Sequence, residues 1–260
     1  MRATFLGSGT STGVPVLTCS CAVCRSEDAR DHRLRPSVWL EWEGASVLVD
    51  TSSDLRAQAL AHRIERVDAI LYTHAHADHI LGLDEIRLFN WRQRGPVPAY
   101  GSAATLDALT RTFWYVFEDV PVGGGKPALD RITVDGPFEL LGRPVVPVPV
   151  MHGAQEILGY RIGRFAYLTD VSRIPETSYS LLEGIEVLVL NALRPRPHPT
   201  HLHLEAALRE AGRIAAPRTI FTHLGHEMPH EATSRSLPPG VELAWDGLAV
   251  EIEDGGGCGP

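Results

Sequence analysis

The sequence of 260 residues is poor in cysteine and has no long apolar run. It contains 4 cysteines against 12 histidines, and Cys19, Cys21 and Cys24 lie close together along the chain. This spacing favours a metal site over a disulfide framework. No apolar stretch approaches the roughly 18 residues that a membrane-spanning helix requires. The sequence therefore predicts a globular protein that does not cross a membrane.

Positive charge is also scarce. The chain has 24 lysine and arginine residues against 32 aspartate and glutamate residues, which gives a net charge of -8 and a pI near 5.8. Such a chain repels nucleic acids at long range, so we expect a small phosphorylated substrate and no nucleic-acid or membrane partner. Residues 1–9 lack the long apolar segment and cleavage site of a secretory signal, from which we expect a cytoplasmic location.

Short apolar runs are more frequent along the chain than helical patterns, which indicates an α/β domain. Strands are predicted at 2–6, 38–43, 46–50, 69–73, 145–150, 157–162, 165–168, 187–190 and 219–221. Helices are predicted at 53–64, 83–91, 103–117 and 204–214. Prolines within 145–150 predict an edge or irregular strand. We expect one domain over 1–253, with an inserted zinc-binding loop near 19–24, a mobile loop at 122–127 and a disordered tail at 254–260.

The densest group of metal-binding residue types is His74-Ala75-His76-Ala77-Asp78-His79, directly after the strand predicted at 69–73. We expect this group to lie on a loop, with His74 and His76 pointing to one position and Asp78 and His79 to a second. Imidazole and carboxylate groups suit zinc, manganese or iron. Two adjacent divalent cations can activate a hydroxide nucleophile and hold an anionic substrate. Solvated loop histidines with a helix-capping Asp78 are the alternative, which four such residues in six positions disfavour.

Two complete coordination shells need further ligands from other parts of the chain. His152, Asp170 and His223 each follow a predicted strand, where ligands gather in α/β architectures. Taken singly, each could equally be a turn histidine or a capping aspartate. Together with the histidine cluster they supply the missing ligands.

The order of these residues resembles the His-x-His-x-Asp-His proteins of the metallo-β-lactamase family over nearly the whole chain. The resemblance implies a four-layer αβ/βα sandwich. It implies that His74, His76 and His152 hold the first ion, that Asp78, His79 and His223 hold the second, and that Asp170 bridges the two. Asp50, after the strand predicted at 46–50, would orient a ligand histidine.

The three clustered cysteines can surround one ion, and a structural zinc then needs a fourth ligand. His226 is the natural candidate, since it lies three residues beyond His223. Reduced, unbound thiols are the alternative. Cys258, in the predicted tail, is expected to take no part.

The cysteine cluster, joined to the Gly-x-Gly-Thr-Ser-Thr-Gly-Val-Pro segment that starts at Gly7, resembles one phosphodiesterase branch of this family. That branch contains the phosphoribosyl cyclic phosphodiesterase, which opens 5-phosphoribosyl 1,2-cyclic phosphate. The resemblance implies hydrolysis of a small, cyclic phosphodiester with two divalent ions, zinc or manganese, beside one structural zinc. It assigns catalytic roles to Asp78 and to His201, the latter as general acid or phosphate contact, with His198 and His203 left open. Relatives of this kind allow a homodimer.

Two other functions are compatible with the motifs. A transfer-RNA 3′-end endonuclease shares the histidine cluster, but residues 122–127 carry only Lys126 and form no basic arm for gripping RNA. A non-hydrolytic accessory protein, like those of pyrroloquinoline quinone synthesis, shares the cysteine cluster. Metal content separates the hydrolase, with about three ions per chain, from a binder with about one.

Overall fold

The computed structural model of the chain describes residues 1–118 and 123–253. The predicted tail at 254–260, with Cys258, lies outside these residues, as does residue 122 at the start of the predicted loop. The strands are β1 (Arg2–Gly7), β2 (Ser37–Trp42), β3 (Ala45–Val49), β4 (Ala69–Leu71), β5 (Val97–Gly101), β6 (Leu129–Thr133), β7 (Phe138–Leu140), β8 (Arg143–His152), β9 (Gln155–Ile162), β10 (Phe165–Leu168), β11 (Val187–Asn191), β12 (Arg218–Thr222), β13 (Val241–Leu243) and β14 (Ala249–Glu251).

The helices are short and lie between the strands. They are α1 (Leu55–His62), α2 (Ala77–Ile80), α3 (Ile86–Gln93), α4 (Ala103–Thr112), α5 (Trp114–Phe117), α6 (Glu176–Tyr179), α7 (Leu204–Ile214) and α8 (His230–Ser234). Within the described part of the chain, no helix has both the length and the apolar character to cross a bilayer.

The described strands form two mixed sheets of seven strands each. The first has the order β14-β1-β2-β3-β4-β5-β6, and the second has the order β13-β12-β11-β10-β9-β8-β7. Strands β3 to β6 pair in parallel in the first sheet, and β10 to β13 pair in parallel in the second. Each sheet thus has a parallel half, at whose carboxyl edge loops can form a site.

The two sheets pack face to face, and helices cover their outer faces. In β10, Phe165 and Tyr167 belong to the core between the sheets, whereas Ala166 and Leu168 belong to the core under the outer helices. Burial on both faces explains why β10 reads as a continuous apolar run. Helices α1, α3 and α4 cover the first sheet, and α7 covers the second. The predicted four-layer αβ/βα sandwich is confirmed.

Helix α7 has the predicted bounds, because Ala207 and Ala211 form a buried stripe at helical spacing.

The edge prediction for the proline-rich strand is partly right. Strand β8 has β7 beside it, but β7 pairs only with residues 143–145. Pro147 and Pro149 therefore lie in the part of β8 that forms its ladder with β9, where the loss of a backbone donor on the other side costs nothing.

Two local predictions are wrong. The second half of the histidine cluster does not lie on a loop, since Asp78 and His79 belong to the one-turn helix α2. The helix predicted at 103–117 is interrupted at Phe113, which has φ -111° and ψ 45° and separates α4 from α5. Strands β5, β6, β7, β13 and β14 were not predicted, because they are short or, as in β6, mostly exposed and polar.

Candidate metal centre

The predicted ligands lie at the carboxyl ends of strands. His74 follows β4, His152 ends β8, Asp170 follows β10, and His223 follows β12. Strands β8, β10 and β12 run in the same direction within the second sheet, so their ends share one edge. Side chains as far apart in the sequence as His152 and His223 therefore meet at one place.

Three residues that follow strands of the two sheets near this place have a strained backbone. Asp50, Asp170 and His223 have φ values of 62°, 59° and 56°, in the left-handed region that favours glycine. A conformation of this kind costs of order 1–3 kcal/mol and persists only where the surrounding structure holds it. At each of these positions the chain turns sharply off a strand and directs the side chain into the site.

The first predicted set of ligands comes together. The ligand atoms of His74, His76 and His152 all lie within 4.8 Å of one another. Nδ1 of His152 donates a hydrogen bond to the Thr200 carbonyl, at 2.8 Å, because a carbonyl can only accept. Nδ1 of His74 lies 3.0 Å from the Thr73 hydroxyl, which donates elsewhere and thus accepts here. His74 and His152 therefore present Nε2 to the site.

The second predicted set also comes together, with donor atoms closer to one another. Nε2 of His79 lies 3.3 Å from Asp78 Oδ2 and 3.2 Å from Asp170 Oδ2. Nε2 of His223 lies 3.5 Å from Asp78 Oδ2 and 3.2 Å from Asp170 Oδ1. Ligand atoms at about 2.0–2.1 Å around one tetrahedral ion are about 3.3 Å apart. The spacing of these four side chains fits a single divalent cation.

Unpaired polar atoms give a second indication of bound cations. Buried atoms without a hydrogen-bond partner include His74 Nε2, Asp78 Oδ2, His79 Nε2 and His223 Nε2. A buried polar atom without a partner costs about 1–3 kcal/mol. All four atoms belong to the two predicted sets, and cation binding would satisfy them together. The residues present thus fit a divalent metal centre.

The two sets are adjacent, and Asp170 lies within reach of both. Its carboxylate groups with His79 and His223, and also with His152. The rings of His74 and His79, one from each set, have centroids 4.2 Å apart. Burial opposes ionisation of Asp170, but His223 and His79 outweigh it and hold the pKa of this carboxyl well below its usual range. A fully ionised Asp170 between two sets is suited to bridge two cations.

Asp50 supports the second set from behind. It is fully buried and accepts hydrogen bonds from the Thr73 backbone N–H, the Thr73 hydroxyl and His79 Nδ1, at 2.8, 2.8 and 2.7 Å. Burial raises the pKa of Asp50, against the effect of these donors. Because Nδ1 of His79 donates to Asp50, Nε2 of the same ring faces Asp78 and Asp170. The histidine that Asp50 orients is thus His79.

The local charges are arranged around His79. Burial lowers the pKa of this imidazole, but Asp170, Asp50 and Asp78 outweigh it and raise the pKa well above the ordinary histidine value. The pKa of His74 is shifted the opposite way, well below the ordinary value, by burial and by His79. Three carboxylates facing one ring make a strongly negative pocket, which favours divalent cations.

The three histidines left open by the sequence occupy different places. Nε2 of His201 lies 3.0 Å from Asp170 Oδ1, and the His201 ring stacks at 4.9 Å on His223. His198 lies one ring further out, with its Nδ1 3.1 Å from His201 Nδ1. His203 is the N-cap residue of α7 and makes no capping hydrogen bond with its side chain. The geometry therefore selects His201 as the histidine beside the metal centre.

The cysteine cluster and His226 also come together. Nδ1 of His226 lies 3.2, 3.5 and 3.5 Å from the sulfur atoms of Cys19, Cys21 and Cys24, and all three cysteines are free thiols. The Cys24 backbone N–H donates to Cys21 Sγ and lowers the pKa of that thiol to about 6. Burial raises the pKa of Cys24 to about 11. The four ligand atoms have the spacing of a tetrahedral zinc site.

Sequence reasoning missed two residues that hold ligands in place. Thr73 donates to Asp50 and accepts from His74, and the Thr200 carbonyl accepts from His152. A polar residue at the end of a buried strand, directly before His74, was the available signal for Thr73. Thr200 acts through its backbone, which carries no signal in the sequence.

Comparisons with known proteins give the relatives of this chain. A family model described as a beta-lactamase superfamily domain matches residues 45–224. The crystal structure of a new diphosphatase from the PhnP family superposes with a TM-score of 0.91 and is 46% identical over 97% of this chain and 98% of that chain.

Two curated relatives have other names. The octanoyltransferase of Porphyromonas gingivalis is 40% identical over 98% of this chain, which spans about half, 52%, of that protein's length. The coenzyme PQQ synthesis protein B of Methylobacterium nodulans is 34% identical over 97% of this chain and 100% of its own length. Relatives with different names thus match nearly the whole length of this chain.

Proposed function

Since this chain belongs to the PhnP family within the β-lactamase superfamily, we propose that it is a metal-dependent hydrolase of small phosphodiesters. The observation that carries the proposal is the convergence of two adjacent sets of ligand atoms, with Asp170 in reach of both. Paired cations at such a site are the common device for hydrolysing phosphate esters. A cyclic diester, such as 5-phosphoribosyl 1,2-cyclic phosphate, is the proposed substrate type.

The chain's own residues supply binding and orientation. His74, His76 and His152 would hold one cation, and Asp78, His79 and His223 the other, with Asp170 between them. When bound, the two divalent cations supply positive charge for the phosphate oxygens and lower the pKa of water. Asp50 keeps Nε2 of His79 directed into the site, through the hydrogen bond at Nδ1.

His201 is the proposed contact to the leaving oxygen or to a phosphate oxygen. Its Nε2 lies 3.0 Å from Asp170 Oδ1, directly beside the two sets of ligands. Burial lowers the pKa of His201 to about 4. The negative charge of a bound phosphate opposes this shift and favours the protonated ring. His201 is thus suited to acquire a proton with the substrate and to donate it to the leaving oxygen.

A substrate panel tests the proposal. The metal-replete protein is assayed with 5-phosphoribosyl 1,2-cyclic phosphate, bis(p-nitrophenyl) phosphate, a dinucleoside diphosphate and a transfer-RNA precursor. We expect hydrolysis of the cyclic diester and the linear diester, and loss of that activity in His79→Ala. His62→Ala, in helix α1, is the matched control and should retain it. Undiminished turnover by His79→Ala with verified metal content would show that the assigned centre is not catalytic.

Diphosphate hydrolysis is the second candidate. It is favoured by the structure that is 46% identical, which is described as a diphosphatase. Both bonds join a phosphorus to a bridging oxygen, so the same pair of cations can act on either. A preference for the dinucleoside diphosphate over both diesters in the panel would replace the first candidate with this one.

The remaining alternatives predict other results in the same panel. An RNA-processing enzyme would cleave the precursor, with affinity that falls steeply as salt rises. An accessory protein would hydrolyse nothing and would hold about one zinc per chain. Transferase activity is not proposed, because the relative with that name is about twice as long as this chain.

A further inference from the structure

Both sets of ligands are divided between the two sheets of the sandwich. The segment after β4 of the first sheet supplies four of the predicted ligands, His74, His76, Asp78 and His79. Strand ends of the second sheet supply the other three, His152, Asp170 and His223. Groups that act together at a site must be held within about 0.5 Å of their productive geometry. The separation of the two sheets at this edge therefore decides whether the sets can close around cations.

The apolar core between the sheets cannot fix that separation alone. Packed sheets lie about 10 Å apart, and hydrophobic attraction has no preferred direction. Hydrogen bonds from one sheet to the other add the direction, and two of them run from strand β9 to the chain just before His74. The Leu158 backbone N–H donates to the Thr73 carbonyl, at 3.1 Å, and the Tyr160 hydroxyl donates to the Tyr72 carbonyl, at 2.7 Å.

The Tyr160 hydroxyl is a permanent donor. Its side chain is 1% exposed and belongs to the core between the sheets. Burial raises the pKa of Tyr160 well above the ordinary tyrosine value, so the hydroxyl keeps its proton at neutral pH. Unlike the backbone N–H of Leu158, this donor can be removed without changing the main chain.

The carbonyl that Tyr160 holds belongs to the segment that places the first-sheet ligands. The next residue, Thr73, donates to Asp50 from its backbone N–H and from its hydroxyl, at 2.8 Å each, and lies 3.0 Å from His74 Nδ1. Asp50 follows β3, so these bonds fix the segment to the first sheet. Tyr160 and Leu158 fix the same segment to the second sheet.

The sheets are also tied on the far side of the centre, beside His223. There the Leu224 backbone N–H donates to the Ser8 carbonyl, at 2.9 Å, and the Leu224 carbonyl accepts from the Thr10 backbone N–H, at 3.1 Å. These bonds place a second-sheet ligand and do not involve the segment that leads to His74. The contacts from β9 are therefore a separate connection between the sheets.

We propose that Tyr160 is a positioning residue, which sets the separation between the first-sheet and second-sheet ligands and thereby how tightly, and how far apart, the two cations are held. The effect on turnover rests on the proposed function. The effect on the cations does not, because it can be measured without a substrate.

The test compares Tyr160→Phe with two matched controls. Tyr160→Phe keeps the ring and removes the hydrogen bond to Tyr72. Tyr167→Phe removes a hydroxyl from the same core, one that has no hydrogen-bond partner among the described residues. Tyr179→Phe removes a hydrogen bond of similar length, 2.6 Å to Glu210, between the outer helices α6 and α7. Circular dichroism of the full-length proteins verifies that each is folded.

Manganese reports on the metal centre, because carboxylate and imidazole ligands accept it whereas thiolates favour zinc. The magnetic coupling of two manganese ions depends on their separation and can be read from the EPR spectrum. We expect the wild type and both controls to share one spectrum of a coupled pair, and Tyr160→Phe to show an altered coupling. Manganese affinity, titrated against a competing chelator, should fall about 10-fold in Tyr160→Phe, the lower end of the range for supporting groups.

Turnover of bis(p-nitrophenyl) phosphate is measured on the same manganese-saturated proteins. We expect Tyr160→Phe to lower kcat with KM close to wild type. An unchanged spectrum and affinity in Tyr160→Phe, or an equal change in either control, would overturn the proposal. If the wild type holds a coupled pair but hydrolyses no ester, the proposed function fails, and the spectrum and the affinity still decide the role of Tyr160.

Discussion

Asp50 illustrates, at the scale of single residues, how the metal centre depends on groups that touch no metal. This fully buried carboxyl holds the Nδ1 side of His79 and anchors Thr73, which in turn holds His74. One residue thus orients a ligand in each of the two sets. Such supporting residues usually affect metal affinity by about 10- to 100-fold.

We predict that Asp50→Asn weakens metal binding by about this factor, because the amide cannot accept all three hydrogen bonds in the same arrangement. The measurement is a titration of the metal-free protein with zinc against a competing chelator. Asp68→Asn is the control. Asp68 lies directly before β4 and accepts hydrogen bonds from the Ser46 backbone N–H and the Arg66 side chain, away from the ligands. Equal zinc affinity in the wild type and Asp50→Asn would contradict the role assigned to Asp50.

The sequence predicted which residue types would gather, but only part of how they are held. His74, His152, Asp170 and His223 could be read as ligands because each stands next to a strand end, and the structure brings them together. The partners of these residues could not be read, because Thr200 lies 48 positions from His152 and acts through a carbonyl. Whether the residues bind metal as assigned stays a prediction.

At the scale of elements, the segment from His223 to His230 links the metal centre to the cysteine cluster. It carries His223 at one end and His226 three residues later. Arg33, whose side chain is almost fully buried, donates to the carbonyls of Gly225 and Met228, at 3.0 and 2.6 Å, and pairs with Asp31 at 3.1 Å. Arg33 therefore holds the segment that delivers both histidines.

We predict that Arg33→Met lowers the free energy of unfolding by about 3–5 kcal/mol, because it leaves Asp31 and two carbonyls without their partner in a buried place. Urea unfolding of the metal-replete proteins measures this change. Arg35→Met is the matched control, because the Arg35 side chain is 33% exposed where it pairs with Asp54, so the loss of that ion pair costs less than the loss of a fully buried one. A loss in Arg33→Met no larger than in Arg35→Met would contradict the account.

Asp246 fixes the glycine-rich segment after β1 to the C-terminal part of the chain. It accepts hydrogen bonds from the Ser8 backbone, the Ser8 hydroxyl and the Leu34 backbone, and burial raises its pKa to about 6. Between the ordinary aspartate pKa of about 4 and this value, the folded protein holds a proton that the unfolded chain releases. The stabilising contribution of the protonated group is thus lost as pH rises through about 6.

We predict that the unfolding free energy of the wild type, minus that of Asp246→Asn, decreases as pH rises from about 4 to about 6 and is constant above. Urea unfolding of both proteins across this range is the measurement. Subtracting the variant at each pH removes the contribution of metal ligands, which titrate in both proteins. A difference that does not change with pH, or one that increases, would contradict the raised pKa of Asp246.

Elements with a clear burial pattern could be predicted closely, as β10, which is buried on both faces, and α7, which has one buried stripe, show. Peripheral strands such as β6 were missed, because an exposed strand with polar residues gives no apolar run. The helix α2 was also missed, because four residues are too few to show helical spacing. Prediction from sequence depends on a repeated apolar pattern, and only an element that is buried and long enough produces one.

For the whole molecule, the four-layer architecture was supplied by resemblance and not by local pattern, and the pairing order of the strands was not predicted. Nothing in the sequence of β1 indicates that it pairs with β14, whose residues are almost 250 positions away. This long-range pairing adds β14 as the edge strand of the first sheet. The domain boundary at 253, the cytoplasmic location, the lack of a nucleic-acid partner and the homodimer stay predictions.

The most direct test of two adjacent cations within the predicted ligand sets is an anomalous-scattering map of a zinc-loaded crystal. We predict two peaks about 3.5 to 4 Å apart, one against His74, His76 and His152 and the other against Asp78, His79 and His223, with a third peak at the cysteine cluster. A single peak among these six residues and Asp170, or none, would contradict the dinuclear centre and the hydrolase built on it.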